Sequence, residues 1–128
     1  MTVDEYLTQL ETRVLLHPLV THVQTVARKD RAVAGYLRLR AQLAGGQWLE
    51  LFEYIELQTG VYPMRVTYSY QWMTSDGGLL GRWDNTPHHR TLPNFPHHYH
   101  AGEEDNLVSS IGPDIGAVLD EIAQGRRP

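Results

Sequence analysis

Five of the chain's seven histidines stand between His88 and His100: His88, His89, His97, His98 and His100. Just upstream lie Arg82, Trp83, Asp84 and Asn85. Imidazole titrates near neutrality, with an intrinsic pKa of about 6.5, and can move protons or ligate a metal. Cleavage of an RNA phosphodiester needs a base for the 2′-hydroxyl, an acid for the leaving oxygen and a cation on the phosphate. Here His97 or His98 is the candidate general base, and His88 or His89 the general acid. Arg82 is the phosphate clamp, because its planar fork matches a phosphate. Glu53 or Asp84 would orient an imidazole. Substrate contacts would come from Arg82, Trp83, Asn85, Tyr68 and Tyr70, with the aromatic rings, Trp72 among them, stacking on unpaired bases.

The same residues admit two other readings. No cofactor is favoured, but a divalent metal is the alternative, with His98, His100 and Asp84 as its ligands and His88 as another candidate third donor. Residues i and i+2 of a strand point the same way, about 6.6 to 6.8 Å apart, so His98 and His100 can converge on one ion, which would give a metal-dependent, hydrolase-like site. No spacing here matches a dedicated metal motif such as His-Glu-x-x-His. The other reading is non-catalytic: a binding module whose His-rich loop contacts a partner. A short strand from Pro96 to His100 could be augmented by a partner strand. Taken singly, His97 and His98 can also cap loop carbonyls or lie exposed on an edge, and Trp83 can belong to a core.

These residues need a frame. The spacing predicts a helix over Val3–Leu16, with Thr2 and Glu5 as a capping box. His17-Pro18 ends it, since proline disfavours helix in the residue before it. Strands are predicted over 20–27, 34–43, 48–57, 64–73 and 79–84. Ala44-Gly45-Gly46-Gln47 and Thr74-Ser75-Asp76-Gly77-Gly78 are the turns. Val66, Tyr68, Tyr70 and Trp72 share one face of the fourth strand. Glu53 interrupts the apolar face of Leu49, Leu51, Ile55 and Leu57, so it needs a partner or must raise its pKa. Pro87, Pro93 and Pro96 make the next stretch a stiff loop, which is expected to fold its imidazoles back toward Arg82 and Glu53 in one shared pocket. A second helix is predicted over 115–124, opened by Pro113 and Asp114, with Gly125 as C-cap and Arg126 and Arg127 at its negative end. The expected class is α+β: an antiparallel meander of five to six strands with an N-terminal and a C-terminal helix, in one domain over residues 1–128.

Composition narrows the function. The chain has no cysteine, which excludes disulfides and a thiol nucleophile. No apolar run is long enough to span a bilayer, and the acidic N-terminus is unlike a secretory leader. A cytoplasmic protein is expected. The net charge of −4 argues against a bulk electrostatic grip on nucleic acid. Lys29 is the only lysine, however, so nearly all positive charge is arginine.

The strings Tyr68-Ser-Tyr70-Gln-Trp72, Asp76-Gly77, Arg82-Trp-Asp-Asn85, Pro87-His-His89 and Leu92-Pro-Asn-Phe-Pro-His-His-Tyr-His100 resemble the TumE-like family of small bacterial toxins. Gly35-Tyr36-Leu37, Glu53-Tyr54 and the final helix extend the resemblance over most of the chain. It departs at Trp72 and Met73, where a more polar strand end is expected. The resemblance implies a growth-inhibiting toxin of a toxin–antitoxin pair, neutralised by an antitoxin with a helix-turn-helix domain. By position it carries over Arg82, Asp84, His88, His89, His97, His98 and His100 as site candidates, with Tyr68 and Glu53 in support.

Overall fold

In the computed structural model, residues 1–58, 62–87, 94–103 and 107–125 are described. The order is α1 (Val3–Leu16), β1 (Val20–Asp30), β2 (Ala34–Leu43), β3 (Trp48–Gln58), β4 (Tyr62–Met73), β5 (Leu79–Asp84), β6 (His98–Ala101), β7 (Leu107–Ser109) and α2 (Ile115–Ala123). The strands form one antiparallel sheet in sequential order. The α+β meander between two helices is as expected, with seven strands instead of five to six. The additional strand is β7, three residues long. It covers the outer edge of β6, so β6 is an internal strand and begins at His98 rather than Pro96.

Both helices lie on one face of the sheet. Thr2 caps α1: its hydroxyl accepts from Glu5 N at 3.0 Å, and the Glu5 carboxylate accepts from Thr2 N at 2.9 Å. Val3, Leu7, Leu10 and Val14 recur at helical spacing and are buried against Leu37, Leu39, Leu49, Leu51 and Ile55. Ile115, Val118, Leu119 and Ile122 of α2 join the same core, with Trp83 and Tyr99. His17 Nε2 meets Asp120 Oδ1 at 2.8 Å and ties the end of α1 to α2. Tyr99 crosses over Gly81, where a Cβ would lie 2.3 Å from its hydroxyl oxygen. None of the described helices is long and apolar enough to cross a membrane.

One prediction of facing fails, at β4. Tyr54 pairs with Thr67 and Ile55 pairs with Arg65, which leaves Val66 as the extra residue of a bulge. A bulge resets the alternation of a strand. Tyr68, Tyr70 and Trp72 do share the helix-covered face, but Arg65 takes the place expected for Val66, which is exposed instead. Asn85 holds the bulge. Its side-chain oxygen accepts from Tyr68 N and its amide donates to Val66 O, both at 2.9 Å.

Candidate functional site

The strand register sorts the candidate residues onto two faces. Tyr70 pairs with Trp83 and Trp83 with Tyr99, and all three are core, beneath the helices. Ser69 pairs with Asp84 and Asp84 with His98; Gln71 pairs with Arg82 and Arg82 with His100. These alternate residues occupy the outer face, the one without helices. Glu53, opposite Tyr68, is on the inner face. Arg82 and Glu53 are therefore separated by the sheet, and the single shared pocket expected from the sequence does not form.

On the outer face, β5 carries Arg82-x-Asp84 and β6 carries His98-x-His100, aligned by their register. Asp84, His98 and His100 are all at most 3% exposed. Asp84 Oδ1 lies 2.7 Å from His98 Nε2, and Asp84 Oδ2 lies 3.2 Å from His100 Nε2. Arg82 Nε donates to Asp84 Oδ2 at 2.9 Å, and its NH2 nitrogen is 3.1 Å from His100 Nε2. Thr86 N donates to Asp84 Oδ1 at 3.1 Å. His98 Nδ1 is 2.9 Å from the Pro96 carbonyl, which follows a cis Phe95–Pro96 bond. A carbonyl only accepts, so Nδ1 carries the proton and Nε2 presents its lone pair or a second proton to Asp84. A guanidinium only donates and a carboxylate only accepts, so His100 Nε2, between the Arg82 NH2 nitrogen and Asp84 Oδ2, presents a lone pair to the first or a proton to the second. His88 and His89 lie outside the described residues.

The inner face holds a second polar group. Tyr6 OH donates to Glu53 Oε1 at 2.7 Å, and Tyr70 OH donates to Glu53 Oε2 at 2.5 Å. Burial pushes the Glu53 carboxyl up, against the two tyrosine hydrogen bonds and Arg65, while Asp114 adds to the rise. The bulge brings in Arg65, which the sequence reading missed. Its guanidinium donates to Tyr70 OH at 2.9 Å, to Pro113 O at 2.7 Å and to Gly112 O at 2.8 Å, and lies 3.8 Å from the Tyr68 ring centre. Burial raises Tyr68 to about 12, opposed by Arg65. His97 belongs to this side: Nδ1 is 3.0 Å from Tyr68 OH, and the rings stack at 5.7 Å. Burial, then Arg65 and His98, lower its pKa, which favours the neutral ring. Gly112, at φ 73°, leaves room for that ring, since a Cβ there would lie 2.6 Å from His97 Nδ1. A cavity of about 70 Å³ borders Glu53, Arg65, Tyr6, Arg13 and Asp114.

The residues proposed to contact substrate fare unequally. Tyr68, Tyr70, Trp72 and Trp83 are at most 5% exposed beneath the helices, so no base can stack on them in this conformation. Both ends of the Asn85 amide are engaged by the bulge. Arg82, half-buried at the outer face, keeps an approach from solvent. A half-buried aromatic surface lies elsewhere on that face. Arg38 sits 4.8 Å over Phe52, Arg40 sits 4.5 Å over Trp48, and Tyr36 is 6.4 Å from Phe52. The alternation of β2 and β3 puts these residues on the face opposite the apolar side chains. That alternation was visible in the sequence; the register that puts the β4 rings on the covered side was not.

Comparison with known proteins adds one finding. The model of the Toxin TumE family matches residues 10–126, a span that runs from within α1 past the end of α2 and contains both polar groups except Tyr6. No curated protein and no solved structure matches significantly. With nearly the whole chain matched, it belongs to the Toxin TumE family, a family of toxins that work in toxin–antitoxin systems and have an antitoxin as partner.

Proposed function

We propose that this toxin arrests growth in the cytoplasm by cleaving RNA, and that the reactive centre is the outer-face cluster of Arg82, Asp84, His98 and His100. The observation that carries this reading is the convergence of those four side chains through the pairing of Arg82-x-Asp84 with His98-x-His100. Attack on a phosphodiester needs a cation against the phosphate, and Arg82 supplies one at the margin of the cluster. It also needs a group that takes the proton of the attacking hydroxyl. His98 and His100, at most 2% exposed, would offer ring nitrogens for this once substrate opens the cluster, directly or through an ion held in common. Asp84, fixed by Thr86 N and Arg82, orients both rings.

The substrate strand would reach this centre over the Arg38–Phe52 and Arg40–Trp48 pairs, whose half-buried rings suit unpaired bases because every base has a face on which to stack. His88 and His89 remain the proposed acid. Glu53, Arg65 and His97, on the other face, support the sheet and the lead into α2. A helix-turn-helix antitoxin is the proposed partner.

The test is brief induction of wild type and Arg82→Ala in bacteria, followed by sequencing of cellular RNA ends. New RNA ends should appear within minutes of growth arrest for wild type and be absent for Arg82→Ala, which should still bind the antitoxin. Arrest with intact RNA would end the nuclease reading. A non-catalytic module would survive only if toxicity and antitoxin binding were both lost or both kept in Arg82→Ala.

A further inference from the structure

We propose that Asp84, His98 and His100 bind a first-row divalent metal ion of the zinc class. Ring nitrogens and carboxylate oxygens of all three residues lie within 4.8 Å of one another, in a buried setting. Two donors at about 2.0–2.1 Å from a tetrahedral ion sit roughly 3.3 Å apart. The separations of 2.7 Å and 3.2 Å between Asp84 and the two rings both lie just below that value, so a small outward shift of Asp84 from the rings admits an ion.

Orientation strengthens the case. His98 Nδ1–H donates to the Pro96 carbonyl, the arrangement that fixes the tautomer of a metal-binding imidazole and aims Nε2 at the ion. A neutral His98 would then set a nitrogen lone pair against a carboxylate oxygen at 2.7 Å. Two lone pairs at that distance require a positive species between them, either a proton or a metal ion. Asp84 is itself held by Thr86 N on Oδ1 and by Arg82 Nε on Oδ2, as metal-binding carboxylates are. An ion would take the His100 lone pair over from the Arg82 NH2 group. Arg82 would keep its Nε bond to Asp84 and turn its outer nitrogens toward solvent.

Donor chemistry selects the ion. Two imidazoles and one carboxylate suit zinc, and also manganese or iron, far better than magnesium or calcium, which prefer oxygen alone. Three protein ligands leave a coordination position open, as catalytic rather than structural zinc sites do. An ion beside Arg82 gives the cluster net positive charge, the sign a phosphate requires. This consequence for catalysis rests on the RNA reading; ion binding itself does not.

The test titrates Zn²⁺ into chelator-stripped protein, prepared without a histidine tag, by isothermal calorimetry. One equivalent should bind to wild type. Asp84→Asn should weaken binding by more than about 100-fold, the upper end of what loss of a supporting contact produces. His22→Ala, which removes an exposed ring on β1, should bind as wild type does. Cobalt substituted for zinc should give visible d–d absorption in wild type and lose it in Asp84→Asn. If Asp84→Asn does not fold, His100→Gln, which still offers Arg82 an acceptor, serves in its place. Binding well below one equivalent, or equal affinity in wild type and the folded ligand variant, overturns the proposal. A protein that binds no ion in the calorimeter yet cleaves RNA ends the metal inference and leaves the RNA reading. A bound ion in a protein that leaves RNA intact does the reverse.

Discussion

Glu53 and Arg65 show what single positions gain or lose in legibility. Glu53 stood out because a carboxylate broke an otherwise apolar alternation, and the structure gives it two tyrosine hydroxyls as donors. Arg65 gave no signal. Strict alternation from Tyr68 points position 66 inward and position 65 outward, and only the bulge at Val66, stitched by Asn85, reverses them. His98, His100 and Asp84 were legible as a set, since i and i+2 partners on adjacent strands converge without irregularity. Glu53 also carries a prediction. Its pKa is raised, chiefly by burial, above an ordinary value of 4.5. The folded state therefore holds this proton more tightly than the unfolded chain does. Below about pH 4.5 both states are protonated and nothing is lost. As pH rises through the folded-state pKa, the unfolded chain gains and stability falls. Glu53→Gln removes this dependence, because the amide does not titrate. His97, with a lowered pKa, acts with the opposite sign below about pH 6.5, and is common to both proteins. The melting temperature of the variant minus that of wild type, followed by circular dichroism, should rise as pH increases from about 4.5. A flat or falling difference would contradict the assignment.

The ends of the helices were the most legible of the elements, because capping chemistry is local. The Thr2–Glu5 box appears bond for bond. The start of α2 is similar: Asp114 is the N-cap, accepting from Ala117 N at 2.9 Å, and Gly125 follows the end at φ 83°. Strand β7 was not legible. Three residues carry too short an alternation, and its role comes from pairing with His98, Tyr99 and His100, which no local rule announces. Asp114 performs two tasks, since its charge also helps to raise Glu53. The two tasks separate by substitution. Asp114→Ala removes the cap and should cost about 0.5–2 kcal/mol. Asp114→Asn keeps a capping oxygen and removes the like charge near Glu53, giving up only the dipole contribution of about 0.3–1 kcal/mol. Urea denaturation should place Asp114→Asn between wild type and Asp114→Ala. If the two variants lose the same stability, the cap is not what Asp114 contributes.

At the scale of the molecule, the decisive fact is that both helices cover the same face. They bury Tyr68, Tyr70, Trp72 and Trp83, the rings first expected to meet bases, and leave Phe52, Trp48 and Tyr36 in reach of solvent. Period-two patterning marks the apolar face of β2 and β3 as the one to be covered, but Tyr68, Tyr70 and Trp72 lie on β4, and their side depends on the β3–β4 register, which no local rule fixes. On the open face, one cross-strand row runs Arg38, Phe52, Ser69, Asp84, His98, and the next runs Arg40, Glu50, Gln71, Arg82, His100. From Arg38 to Asp84 is three strand spacings, roughly 14 Å. A single strand of RNA laid along these rows would stack on Phe52 and reach Arg82 with its phosphate. A duplex hides its base faces and gains nothing from Phe52. Because the chain carries a net charge of −4 and Arg40 is partly engaged with Glu50 at 3.6 Å, few phosphates can be neutralised. Each contact contributes about −0.7 to the slope of log affinity against log salt for single strands, so a slope of roughly −1 to −2 is expected. Phe52→Ala should cost about 1–3 kcal/mol, the worth of one stacked base, and should leave duplex binding as weak as before. Fluorescence anisotropy on labelled oligonucleotides reads all three quantities. A steep salt slope would mean that a basic surface elsewhere does the binding, and equal affinity of wild type and Phe52→Ala for single strands would remove the open face as the path to Arg82.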